Sequence, residues 1–183
     1  ELGAEKFKAE VEAEYARLPE QQTHVDEKEL ARIAKYFAPP SLEKLSRFQP
    51  SFEDAKLKHP AFGRWVRNNL AAHKADGYTI VNISLKPEGG IPGDATGEQI
   101  RVMADLAERY SYDELRVSHP QNIILPHVKL SDVFSIWQAL DASGLSAANH
   151  GLAGDIIACP GLDYCALATA RSIPIAQAIS RKF

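Results

Sequence analysis

The chain has only two cysteines, and this scarcity limits what its thiols can do. Cys159 and Cys165 are the only ones among 183 residues. Small secreted domains held together by disulfides are dense in cysteine, so the chain does not resemble them, and a reducing compartment is expected. A [4Fe-4S] cluster normally takes four cysteine ligands, so these two residues amount to half of such a set.

Other absences exclude further classes of function. No apolar run approaches the roughly eighteen residues that a membrane-spanning helix needs. No charged segment followed by an apolar one gives the pattern of a signal peptide. The net charge is −3 and there is no basic stripe, so the electrostatic footprint of a nucleic-acid binder is missing. We therefore expect a cytoplasmic protein that binds neither nucleic acid nor a membrane.

Methionine is also scarce, and this bears on the ends of the chain. Met103 is the only methionine, and the sequence begins at Glu1. The sequence closes just after an apolar, helix-like run. We expect the chain to be a fragment of a longer protein that continues past Phe183.

The first part of the sequence predicts helices. Apolar residues recur every three or four positions between residues 1 and 18, as in an amphipathic helix. A second helix is predicted from the N-cap Asp26 to a pair of prolines that stops it. Residues 41–76 lack a clear period and are interrupted at Pro50 and Pro60, so we predict a helical, loop-rich segment. Its apolar anchors are Phe48, Phe52, Phe62 and Trp65.

The pattern changes at Gly77 to one of strands and helices. A strand rich in β-branched residues is predicted first, followed by a helix capped by Asp94 or Thr96. Two strands and a helix follow. The predicted bounds are 78–86 for the first strand, 114–118 and 122–128 for the next two, and 131–140 for the last helix. This order predicts an α+β fold with most of a ferredoxin-like unit, a short antiparallel sheet with helices on one face.

The two cysteines lie in one short loop near the end of the chain. Five residues separate Cys159 from Cys165, and Pro160 and Gly161 favour a turn between them. The two sulfurs could therefore converge on one soft metal centre, which prefers thiolate ligands. The alternative is that both are buried thiols acting as small hydrophobic side chains. The spacing alone does not choose between these interpretations.

Four segments together give the sequence a resemblance to a known family. They are Gly77-Tyr-Thr-Ile-Val-Asn-Ile-Ser-Leu-Lys, Pro92-Gly-Asp-Ala-Thr, Glu114-Leu-Arg-Val-Ser-His-Pro-Gln-Asn-Ile-Ile-Leu and Asp155-Ile-Ile-Ala-Cys-Pro-Gly-Leu-Asp-Tyr-Cys. The chain resembles the sirohaem-dependent sulfite and nitrite reductases over roughly residues 60–183, and in particular the haemoprotein of bacterial sulfite reductases. In that family a ferredoxin-like half domain occurs twice.

The resemblance implies a division of the chain into three parts. Residues 1–76 would be a helical, loop-rich arm, residues 77–145 the second ferredoxin-like half domain, and residues 146–183 the truncated start of the sirohaem and [4Fe-4S] domain. Cys159 and Cys165 match the first pair of cluster ligands, and a further cysteine pair follows later in the family. The fragment would then bind neither cofactor by itself.

The resemblance also implies residues that face the sirohaem. Arg116, Ser118, Gln121 and Asn122 match an Arg-x-Thr-x-x-Gln-Asn pattern whose side chains line the haem cavity in the family. Ser118 stands where threonine is usual, and Pro120 where a polar residue is more frequent. Arg116 would pair with a carboxylate of the macrocycle. The basic residues that hold the anionic substrate in the family lie mainly in the first half domain and in later sequence, so no catalytic residue is assigned here.

The implied activity is the six-electron reduction of sulfite to sulfide in assimilatory sulfur metabolism, by the full-length enzyme rather than by the fragment. A nitrite reductase or a cobalamin-pathway monooxygenase of the same family is the alternative. The implied partners are the remainder of the reductase chain and an electron donor, either a flavoprotein subunit or a ferredoxin. A non-catalytic ferredoxin-like binding or assembly module, possible as a homo-oligomer, is the alternative of a different class.

Overall fold

The computed structural model describes residues 3–19 and 25–183. The chain divides into two compact units, Glu1–Ser41 and Leu42–Phe183. The helices are α1 (Ala4–Tyr15), α2 (Glu27–Tyr36), α3 (Pro50–Lys58), α4 (Pro60–Asn69), α5 (Gly97–Tyr110), α6 (Val133–Ala142) and α7 (Ile173–Lys182). The strands are β1 (Leu70–Ala72), β2 (Tyr78–Ile83), β3 (Arg116–Val117) and β4 (Ile123–Lys129).

The first unit contains the two helices that the sequence predicts. Asp26 caps α2 as expected, since its carboxylate accepts a hydrogen bond from the Lys28 amide at 3.0 Å. Every side chain of α1 is exposed, including the apolar Phe7, Val11 and Tyr15. Part of the segment between the two predicted helices, residues 20–24, lies outside the described residues.

The second unit is built on a four-stranded antiparallel sheet in the order β1-β2-β4-β3. Val81 pairs with Leu125 and Ile83 with Ile123, while the register shifts near Thr79 as at a β-bulge. The predicted strands are present, with β2 and β3 shorter than expected. The antiparallel sheet with its helices confirms the predicted α+β class. Strand β1 was not predicted, because Leu-Ala-Ala is too short and too poor in β-branched residues to indicate a strand.

Helices α3 to α6 pack on this sheet around one core. Fully buried Phe62 and Trp65 of α4 join Val81 and Leu125 of the sheet and Ile136 of α6 in the same cluster. The helical residues of the segment predicted as an arm therefore contribute to the core of the unit. The domain boundaries predicted after residues 76 and 145 are a separate matter and stay a prediction.

Two helix starts show how local chemistry fixes the elements. Thr96 caps α5 with a complete capping box, since its hydroxyl accepts from the Gln99 amide and the Gln99 side chain accepts from the Thr96 amide. A 3-10 turn, Leu130–Asp132, precedes α6, so this helix begins two residues later than predicted. In the part of the chain that is described, no helix has both the length and the apolar character to cross a bilayer.

Candidate functional site

The cysteine loop, residues 159–172, follows α6 and the irregular segment 146–158. Both thiols are free; Cys159 is exposed and Cys165 is half-buried. The carbonyl oxygen of Gly161 accepts hydrogen bonds from the amides of Tyr164 and Cys165, at 3.1 and 2.8 Å. Ser172 closes the loop by donating its hydroxyl hydrogen to the Cys159 carbonyl oxygen. The sequence between the cysteines thus folds into a compact turn with its two thiols accessible to different extents.

Gly161 is the residue that permits this turn. Its φ of +60° lies in the left-handed region, and a Cβ placed there would stand 2.5 Å from the Ala170 carbonyl oxygen. We expect Gly161→Ala to open the loop and to accelerate alkylation of the half-buried Cys165 by iodoacetamide about fivefold or more. Peptide mass spectrometry after timed alkylation measures this rate.

Gly144→Ala is the matched control for this substitution. Gly144 has a φ of +71°, but beyond its chain neighbours no atom of the described residues lies within 4 Å of the point that a Cβ would occupy. The variant therefore carries the same backbone strain without the clash. An unchanged alkylation rate in Gly161→Ala, or an equal increase in both variants, would contradict the assigned role of Gly161.

The turn between β3 and β4 attaches the loop to the sheet. Gln121 sits there with a φ of +56°. Its side-chain amide donates to the Ala158 carbonyl oxygen, and its side-chain oxygen accepts from the Ala158 amide, both at 3.2 Å. Both backbone groups of Ala158, the residue before Cys159, are therefore hydrogen-bonded, as the backbone groups of a residue in a β-sheet are.

A buried ion pair makes a second attachment. The ammonium of Lys86, 2% exposed, lies 2.6 Å from an oxygen of Asp155, 5% exposed. Lys86 also donates to the Asn122 side-chain oxygen at 3.1 Å and to the Pro120 carbonyl oxygen. All three ammonium hydrogens therefore have acceptors, which a cation removed from water requires.

The carboxylate of Asp155 is equally well satisfied. One oxygen accepts hydrogen bonds from the Lys86 ammonium and, at 2.9 Å, from the side-chain amide of Asn122. The other accepts from the Gly151 amide at 2.9 Å and lies 3.2 Å from Nδ1 of His150. Burial by itself raises the pKa of this carboxyl, but the hydrogen bonds from Gly151, Lys86 and Asn122 outweigh it and lower the pKa below its ordinary value. Asp155 is therefore ionised at neutral pH.

The structure places the four predicted sirohaem residues on the β3-β4 hairpin. Arg116 is exposed and lies 2.5 Å from Glu114. The Ser118 hydroxyl donates to the Asn122 carbonyl oxygen and accepts from the Asn122 amide, both at 3.1 Å, which closes the turn. Asn122 is fully buried, and its side chain bonds to Leu85, Lys86, Asp155 and His150. Contact of these residues with sirohaem stays a prediction.

Lys86 and Asp155 were not predicted from the sequence as functional residues. Lys86 ends a segment of alternating apolar and polar residues, where a lysine is typical of a solvated face. The segment that covers it, residues 146–158, has no regular structure and so no periodic signal. The only indication was that Asp155 begins the stretch that carries the resemblance to the reductases.

The arrangement fits part of a metal centre. Two thiol side chains are half the number of ligands that a [4Fe-4S] cluster takes, and among residues 3–19 and 25–183 no three His, Cys, Asp or Glu side chains are grouped to hold a metal. A cavity of about 140 Å³ adjoins the loop, lined in part by Gln121, Ala158 and Tyr164. Pockets that enclose drug-sized ligands measure roughly 300–1,000 Å³, so this cavity is too small to enclose a macrocycle by itself.

Comparison with known proteins gives one assignment. Residues 73–143 match the family model of the nitrite/sulfite reductase ferredoxin-like half domain. No curated protein matches the chain. The matched range begins after β1 and ends at the close of α6, so it includes Lys86, Gln121 and Asn122. Residues 73–143 are thus similar to the ferredoxin-like half domain of the nitrite/sulfite reductases, a family of oxidoreductases, and the match is consistent with a fragment of that family.

Proposed function

We propose that the chain is part of a sirohaem- and [4Fe-4S]-dependent enzyme that reduces sulfite to sulfide with six electrons. Cys159 and Cys165 would supply two of the four cluster ligands. The observation that carries the proposal is the attachment of the cysteine loop to the matched half domain through Gln121 and Ala158. The choice of sulfite over nitrite or over a cobalamin-pathway monooxygenase rests on the sequence resemblance alone.

The residues of this chain would contribute position and electrostatics. A cluster and a sirohaem, when bound, supply single electrons to a metal that holds the substrate. The amides of Leu162 and Tyr164 already donate to the Ala170 and Gly161 carbonyl oxygens, so the loop would chiefly fix the positions of the two thiolates. Arg116, Ser118 and Gln121 lie on the hairpin next to this loop, and we propose them, with Asn122, for the sirohaem wall.

The intact protein should carry both cofactors when it is purified without oxygen. We expect Cys159→Ser and Cys165→Ser each to lower its iron content about tenfold, because a cluster that loses a thiolate ligand is poorly held. Iron and sulfide analysis with visible absorption measures this loss. Thr169→Ala, an exposed change in the same loop, is the control and should keep the iron.

Steady-state rates with a chemical electron donor then separate the substrates. A higher kcat/KM for sulfite than for nitrite supports the sulfite assignment, and the reverse order would replace it with nitrite. An intact protein that holds neither iron nor sirohaem would overturn the proposal.

In that event the binding-module alternative takes the lead. The observation that favours a binding module is that the first unit exposes apolar side chains, among them Phe7, Tyr15 and Phe37. In a module these faces would be covered by a partner chain or by a second copy. In the reductase proposal the partners are the remainder of the enzyme chain and a flavoprotein subunit or ferredoxin as electron donor, in a cytoplasmic setting.

A further inference from the structure

The buried pair of Lys86 and Asp155 needs an explanation beyond stability. Burying two charges costs several kcal/mol per ion by general estimates, and apolar residues of similar size often serve a core as well or better. An ion pair whose donors and acceptors are all hydrogen-bonded instead fixes the orientation of the groups around it, because each hydrogen bond is strong only over a narrow range of distance and angle. The pair therefore orients whichever part of the chain depends on it.

The pair joins three segments that are distant in sequence. Lys86 follows β2, Asn122 precedes β4, and Asp155 belongs to the irregular segment after α6. The first two segments are fixed by the sheet. The third has no regular structure of its own and is held by hydrogen bonds from side chains. Asn68 and Asn69 bind the carbonyl oxygens of Ala148 and Ala147, and Asn149 binds that of Lys86. Asp155 adds the one buried ionic contact among the described residues of this segment.

Adjacent residues of one turn hold this segment at two points. Asn122 binds the side chain of Asp155, and Gln121 binds both backbone groups of Ala158. A segment held at one point can pivot, whereas attachment at residues 155 and 158 fixes both its position and its direction. The next residue is Cys159.

We infer that Lys86, Asn122 and Asp155 are positioning residues that place Cys159 for metal binding before any metal arrives. The inference rests on the proposed function for the role of Cys159 as a ligand. It assigns to Asn122 an action through Asp155 and the cysteine loop, besides its proposed place in the sirohaem wall. Metal sites tolerate only a few tenths of an ångström in ligand position, so the order of this segment matters for assembly.

Hydrogen exchange of the metal-free chain tests the inference. In Asp155→Asn we expect the peptide covering residues 156–159, through its hydrogen-bonded Ala158 amide, to exchange about tenfold faster than in the parent, while the amides of β4 exchange at the parent rate. If Asp155 served only global stability, its substitution would raise the exchange rates of both sets of amides by the same factor. Mass spectrometry of peptides covering the two segments gives the ratio.

Glu43→Gln is the matched control for the charge change. Glu43 lies 2.6 Å from Lys129, the same separation as in the buried pair, but its side chain is 60% exposed. This variant should leave exchange at residues 156–159 unchanged. Equal protection of residues 156–159 in Asp155→Asn and the parent would overturn the inference, as would uniform acceleration throughout the chain.

A second variant covers the case in which Asp155→Asn does not fold. Lys86→Met combined with Asp155→Leu removes both charges together and leaves no unpaired ion. We expect the same selective acceleration at residues 156–159. If the double variant protects that segment as well as the parent does, the ion pair does not position Cys159.

The exchange result does not depend on the cofactors, so the two proposals can fail separately. If Cys159→Ser keeps its iron in the intact protein, the ligand assignment is wrong whatever the exchange shows. If Cys159 is a ligand and the inference holds, Asp155→Asn lowers the iron content of the intact protein by about threefold or more, while Glu43→Gln retains it.

Discussion

Asp155→Ala should lower the free energy of unfolding by about 3–5 kcal/mol, one of the two largest effects expected in this chain. The substitution leaves the Lys86 ammonium buried, with the Asn122 oxygen and the Pro120 carbonyl oxygen as its remaining acceptors. An uncompensated buried charge is what makes the loss large. Urea unfolding followed by circular dichroism at neutral pH measures the difference.

The exposed pair of Lys129 and Glu43 sets the scale for this result. Its side chains are 30% and 60% exposed, so solvent screens the attraction and Glu43→Ala should cost about 0–1 kcal/mol. The double variant Lys86→Met with Asp155→Leu should recover most of the loss seen in Asp155→Ala, because it leaves no lone charge. A loss below about 1 kcal/mol in Asp155→Ala would mean that water reaches the pair and screens it as it does an exposed one.

The pH dependence of the same variant follows from the lowered pKa of Asp155. A carboxyl whose pKa is lower in the folded than in the unfolded state contributes stability that is complete above the unfolded-state pKa, about 4. That contribution is lost as the pH falls through the folded-state pKa. The stability difference between the parent and Asp155→Ala should therefore stay constant between about pH 8 and pH 5 and shrink below about pH 4.

Parts of the fold could be predicted because their signals are local. Strand β2 is rich in β-branched residues, and α5 is capped by Thr96 with Gln99 three residues later. Such signals depend on residues that are neighbours in sequence, so they can be recognised without knowledge of the tertiary structure. The cysteine pair is local in the same sense, which is why the candidate site could be found at all.

Prolines are ambiguous signals in the segment from 41 to 76. The sequence predicts interruptions at Pro50 and Pro60, yet each is the first residue of a helix, α3 and α4. Proline is favoured at that position, because its missing amide hydrogen is not needed in the first turn and its φ is already helical. A proline therefore marks a helix start as readily as a helix end.

The second half of the candidate site could not be predicted for a different reason. Lys86 and Asp155 are 69 residues apart, and neither belongs to a helix or strand. Only the folded sheet and the irregular segment after α6 bring them together. A single sequence holds no signal for such a long-range pair between ordinary surface residue types.

The largest effect outside the site should come from the aromatic cluster of α3, α4 and α6. Phe62 is fully buried, and its ring centroid lies 5.1 Å from that of Phe134 and 5.5 Å from that of Trp137. Phe62→Ala would leave a cavity among these rings. We expect a loss of about 3–5 kcal/mol in the free energy of unfolding, as for other buried phenylalanines, measured by urea unfolding.

Phe48→Ala is the matched control, since Phe48 lies in the same predicted arm but is 63% exposed. Both phenylalanines are apolar anchors by sequence, yet a change at the exposed one should stay within about 0.5 kcal/mol of the parent. If both variants lose little stability, α4 does not contribute to the core and residues 41–76 behave as an independent arm. A large loss of stability for Phe62→Ala alone means that the sheet and its helices need α4 to complete their core. Among the described aromatic contacts, Phe134 and Trp137 of α6 pack on each other and on Phe62, and on no other buried ring.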